Sequence, residues 1–212
     1  MRIVFVGSGN ICRSAAAERL TLSYLDAALG SLGQQISVTS AGTDPVLGSA
    51  MHPVTRAGLR DLRASGRAFR TQRLSAELLA GADLVLTATT ELRDAVLDLH
   101  PAGSRTTFTM REAAELLVQL PAIAAPLART GDRHAARVIA LLADTRTRRW
   151  ALPGEDDVLD PQGHDDRVHQ QVVGEIAVAL QPLLHALVLP EYAAQLWSSA
   201  PASPVEECSA VA

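Results

Sequence analysis

The chain has 212 residues and a mass of 22.4 kDa, enough for one ordinary domain that buries a core without disulfide staples. Its 48% hydrophobic and 20% charged content is that of a globular protein, and a net charge of −4 gives no basis for a nucleic-acid partner, which would favour a basic face. No apolar run approaches the roughly 20 residues needed to cross a bilayer, and MRIVFV at the N-terminus has the pattern of a strand, not of a signal peptide, so a cytoplasmic protein with no membrane partner is expected.

In chain order, Arg2 to Val6 alternates as a short buried strand, GSGN breaks the pattern, and SAAAERLTLSYLDAALG has helical composition and periodicity. QISVTSAGT is the next strand. A turn-rich stretch, DPVLGSAMHP, leads into a helix through VTRAGLRDLRASG. ADLVLTAT reads as a buried strand with TELRDAVLDLH as the helix after it, and TTFTM as a strand before the helix REAAELLVQL. Strands and helices therefore alternate as βα units do, which predicts an α/β fold: a four-stranded parallel sheet with helices on both faces. From about 121 to 150 the chain is helical in pattern and Ala/Leu/Arg-rich, ALPGEDDVLDPQGHDD is a polar loop, and DRVHQQVVGEIAVALQPLLHALV is a closing helix. Residues 1–197 are expected to form one domain, with 198–212 as a flexible tail.

The stretch VGSGNICRS carries the chemistry. A glycine-rich turn between a strand and a helix gathers backbone N–H groups around one point, and the helix dipole adds to their pull on an anion. Ser8, Gly9, Asn10, Ile11, Cys12, Arg13 and Ser14 are the expected phosphate seat, with Arg13 supplying a planar fork and Ser14 a cap or a hydrogen bond into the loop. All nineteen basic residues are arginine, which suits bidentate oxyanion recognition. The two cysteines, Cys12 in this loop and Cys208 in the tail, do not make a disulfide framework, and no metal-ligand set or cofactor motif is singled out.

Ser8-Gly9-Asn10-Ile11-Cys12-Arg13-Ser14 resembles the loop of the low-molecular-weight protein tyrosine phosphatases and their arsenate-reductase relatives, in which a cysteine at the strand end precedes x-Gly-Asn-x-Cys-Arg-Ser. Ser40-Ala41-Gly42-Thr43, Ala82 to Thr87 and Asp160-Pro161 are similar to three further motifs of that family, in the same order, over roughly residues 2 to 185. The resemblance implies a flavodoxin-like three-layer sandwich and phosphoryl transfer through a phosphocysteine. Arg13 would then bind phosphate, Asn10 shape the loop, Ser14 support its floor, and Asp160 act as general acid and base. No cofactor or metal is implied.

Two departures qualify that expectation. Gly7 stands where the resemblance places the nucleophile, and glycine has no group to attack with. Cys12 matches the family's second loop cysteine, read as a packed or redox-sensitive thiol, and Ser8 has no evident base beside it. After Asp160-Pro161 the chain reads Gln162-Gly163-His164, without the aromatic residues that wall a phosphotyrosine ring in the family. Asp156, Asp157, Asp165 and Asp166 read as a solvated acidic loop, and His164 as a solvated histidine or an extra acid or base.

Three functions stay open. One is an enzyme acting on a phosphorylated small molecule or phosphoprotein without a phosphocysteine, by direct hydrolysis or phosphate elimination. Another is a pseudophosphatase that only captures a phosphorylated partner. The last is an active tyrosine phosphatase whose nucleophile has been mutated to glycine. Oligomeric state is not legible.

Overall fold

Ile3, Val4, Phe5 and Val6 are each 0% exposed, so the first strand, β1 (Arg2–Gly7), sends apolar side chains to both of its faces and needs cover on each. The structure, a computed structural model, describes residues 1–120 and 131–188. After β1 come α1 (Arg13–Leu29), β2 (Ser37–Gly42), α2 (Pro53–Asp61), α3 (Ala76–Ala80), β3 (Leu84–Thr87), α4 (Thr90–Leu99), β4 (Thr107–Thr109), α5 (Met110–Gln119), α6 (Gly131–Arg146) and α7 (Asp166–Val188).

The four strands are parallel in the order β2-β1-β3-β4, as the βα alternation predicts. Ile3 and Phe5 join Leu84, Leu86 and Phe108 in the larger core, which α1, α2, α5, α6 and α7 cover. Val4 and Val6 face the other way, with Val85, Leu79 and Val96 beneath α3 and α4. Because β2 lies on one side of β1 and β3 on the other, the turn after Gly7 sits at the carboxyl edge of the sheet where the chain's winding reverses. In open α/β sheets that crevice is where ligands bind.

Three elements differ from expectation. The helix expected to run to Gly66 ends at Asp61, because Arg63 turns left-handed at φ 58° and Ala64 N–H folds back onto the Leu59 carbonyl at 2.8 Å. The five-residue α3 was not expected; its only sequence cue is Ser75, whose hydroxyl accepts from Leu78 N–H at 3.3 Å as an N-cap. Finally, α7 is long and apolar enough to cross a membrane by length and composition, whereas no run was expected to be. Its buried residues, among them Val172, Ile176, Leu180 and Leu183, pack it as the central helix against α1, α2, α5 and α6, and that accounts for its apolar character. The helix expected within 121–150 is described from Gly131, whereas 121–130 and the expected tail lie outside the described residues.

Candidate active site

The loop from Ser8 to Cys12 is fixed by its carbonyls. Gly7 O accepts from Thr43 N–H at 3.1 Å, Ser8 O from Asp44 at 3.0 Å, Ile11 O from His52 at 3.0 Å and Cys12 O from Ala16 at 2.8 Å. Among the described residues, by contrast, no acceptor takes a backbone N–H from Ser8 to Ser14. The Ser8, Ile11 and Cys12 oxygens are thus taken up by the fold while the loop N–H groups stay open, at the positive end of the 17-residue α1, an arrangement of the kind that attracts anions.

Asn10 is the strut. Its backbone is left-handed at φ 56°, a conformation asparagine tolerates. Its amide donates to Ser14 Oγ at 3.1 Å and Ser40 Oγ at 2.9 Å, while its oxygen accepts from Gln72 N–H at 3.0 Å. At 2% exposure it therefore ties the loop to the end of β2 from inside the protein. Gly42 lets the two segments meet: a Cβ there would lie 2.4 Å from the Ser8 carbonyl oxygen. Since that neighbour is backbone, Gly42→Ala is expected to lose about 3 kcal/mol of stability by overpacking, read by denaturant unfolding, and to weaken phosphate binding with it.

The network continues from Ser40 Oγ, which donates to Glu18 Oε2 at 2.6 Å. Burial holds the Glu18 carboxyl above its ordinary value of 4.5, against the opposing pull of the Ser40 hydroxyl and Arg19. A raised carboxyl favours the fold most when protonated, so its contribution is full below about 4.5 and is lost as pH rises through the folded value. Glu18→Gln keeps an acceptor for Ser40 and carries no charge. Its melting temperature is expected to exceed that of wild type at pH 7, with the gap closing toward pH 4; an unchanged gap across that range would contradict the assignment.

Arg13 is 7% exposed. Its Nη1 donates to the Val158 carbonyl at 3.1 Å, and its Nη2 reaches Ser8 Oγ at 3.3 Å and the Asp160 carboxylate. Burial lowers the guanidinium's pKa and Asp160 opposes that, but an arginine stays charged in either case. Asp160 is placed by its own loop: Val158 N–H donates to Ala88 O at 2.8 Å, anchoring the segment beside β3, and Gln162 N–H donates back to Asp160 Oδ1 at 3.1 Å in an Asx turn. The space enclosed by Gly7 to Ser14, Asp160 and Gln162 is about 10 Å³, near what a single water needs. The Arg13–Asp160 contact lies along the wall of this space.

The expected site residues fall together, with corrections around them. Asp156 is not solvated: it is 6% exposed and takes a bidentate grip from Arg149, both bonds 2.7 Å. Asp157 caps α4 through Thr90 N–H at 2.7 Å, and Asp165 caps α7 through Val168 N–H at 3.0 Å. Of these loop acids only Asp160 lines the seat. His164 is exposed and lies outside it. Burial pushes the Cys12 thiol up, which disfavours a thiolate. At Gly7, a Cβ would stand 2.7 Å from Ser14 Oγ, so the hydroxyl beneath the loop leans into the space a side chain would claim.

Residues 2–118, more than half the chain, match the profile of the family described as low molecular weight phosphotyrosine protein phosphatase. The chain belongs to that family. Among solved structures, the low molecular weight protein tyrosine phosphatase of T. tengcongensis shares 23% identity, covering 88% of this chain and 99% of that one with a TM-score of 0.63. A YwlE mutant from Bacillus subtilis shares 23% identity over 88% and 98% of the two chains at a TM-score of 0.62. The tyrosine phosphatase Wzb from Escherichia coli K30, in complex with sulphate, shares 16% over 88% and 97% at 0.59. At these identities the likeness is one of fold. No curated protein matches the sequence.

Around the phosphatase loop the structure also gathers residues that carried no sequence signal as a group. Ser40, Glu18 and Gln72 complete the Asn10 network from three different elements. His52 and His169, 117 positions apart by their numbers, stack with ring centroids 4.2 Å apart beside Cys12. Neither histidine stands in a recognisable spacing, so only the packing of α7 on α2 reveals them.

Proposed function

We propose that this low-molecular-weight phosphatase relative grips the phosphate of a phosphorylated small molecule or phosphoprotein on Ser8 to Ser14 and releases it without a phosphocysteine. The reading rests on Asp160 lying against Arg13 inside the seat. A carboxylate in an anion site opposes binding by like-charge repulsion. A purely capturing site gains nothing from it, whereas a reaction that must protonate a departing oxygen does.

In the hydrolytic form, a water oxygen bonds to phosphorus as the ester P–O bond breaks. Asp160, carrying a proton, gives it to the leaving oxygen, and the proton shed by the water passes to solvent. Arg13 and the loop N–H groups hold the equatorial oxygens, where preorganised donors supply the main stabilisation of developing charge. Without an aromatic wall after Pro161, a non-aromatic phosphate ester fits better than phosphotyrosine.

A second reading, capture without turnover, is favoured by Gly7 and by the Ser14 hydroxyl crowding that position. Phosphate release measured across phosphorylated metabolites, sugars and peptides separates the two. Turnover of at least one ester is expected; tight binding with no release from any of them would replace the enzyme by the capture module.

A further inference from the structure

Cys12, His52 and His169 each bring one donor atom to within 4.8 Å of the others. Cys12 is 6% and His169 2% exposed, and His52 Nδ1 is buried without a hydrogen-bond partner. Cys12 also lines the phosphate seat, so the three donors adjoin it. We propose that these residues form a binding site for a thiophilic divalent metal ion of the Zn²⁺ class on the flank of the phosphate loop.

The donor set selects the ion. One thiolate and two imidazoles suit zinc and its neighbours, while magnesium and calcium call for oxygen ligands. Three protein ligands leave the fourth tetrahedral position for water or an anion oxygen. Bonds of about 2.3 Å to sulfur and about 2.0 Å to nitrogen put tetrahedral donors roughly 3.5 Å apart. The three groups must therefore draw together by about an ångström, a shift within reach of a histidine turning about its side-chain bonds. His52 Nδ1 has no hydrogen bond to surrender in that turn.

The remaining contacts favour ligation. Thr55 Oγ1 lies 3.1 Å from His169 Nδ1, so a buried hydroxyl fixes the orientation of that ring. Binding replaces the S–H bond of Cys12 by a metal–sulfur bond and releases that proton to solvent, so affinity rises with pH. The site stands whether or not the loop turns over a phosphate.

Titration of the full chain with Co²⁺, in reducing, phosphate-free buffer, tests it. The expected result is one ion per chain with a thiolate-to-cobalt charge-transfer band and the visible bands of a tetrahedral ion. Cys12→Ser removes the charge-transfer band, His52→Ala weakens binding at least tenfold, and Cys208→Ser changes neither. His52 is half-buried, so its variant tests the histidine arm without emptying the core, and circular dichroism confirms each fold. Absence of stoichiometric binding would overturn the proposal, as would unaltered affinity in His52→Ala or a band that survives Cys12→Ser and disappears in Cys208→Ser.

Discussion

Arg13→Ala is expected to abolish oxyanion binding, with the affinity for inorganic phosphate in calorimetry falling at least ~100-fold. The guanidinium is held from behind by the Val158 carbonyl, so it is preorganised rather than recruited. Charge-assisted hydrogen bonds contribute about 1.5–3 kcal/mol each, and two of them account for the loss. Alanine is worse than neutral here, because it leaves Asp160 as an uncompensated negative charge lining the seat. Arg13→Lys keeps the charge and loses the fork, and is expected to fall about tenfold, between the two. Equal affinity in wild type and Arg13→Ala, with both folded, would place the anion site elsewhere.

Asp160→Asn is expected to move two readouts in opposite directions. Asp160 is paired with Arg13, so neutralising it frees the guanidinium and is expected to tighten phosphate binding, by about tenfold if one ion pair is removed. The same change removes the proton donor, and turnover falls by roughly 10²–10⁴, the usual worth of a positioned general acid. Tightening without any activity to lose is the signature of the capture module. Weaker binding in Asp160→Asn would contradict both, since it would mean that the carboxylate holds the loop open rather than shut.

The sequence carried the scaffold because the signals were local. Ile3 to Val6 and Leu84 to Thr87 are short apolar runs bounded by turn residues, and each became a buried strand in the expected place. The loop was legible for the same reason: its glycine, asparagine and arginine lie within seven consecutive positions, 8 to 14. What the sequence did not carry was long-range partnership. The Arg13–Asp160 contact joins positions 147 apart, and nothing in either segment says that the two side chains will meet. Asp156 and Asp157 read as solvent-facing because charge runs usually are; Arg149 and the start of α4 claim them instead. The His52–His169 stack is a product of α7 packing on α2, invisible to any spacing rule.

A crystal grown in concentrated sulfate bears on the oxyanion seat most directly. The expected density is one tetrahedral anion held by the N–H groups of residues 8 to 14 and by the Arg13 guanidinium, with Asp160 rotated off Arg13. A well-ordered loop that keeps its Arg13–Asp160 contact and rejects sulfate at molar concentration would mean that these amides do not form an anion site, and the phosphate chemistry derived from them would fall with it.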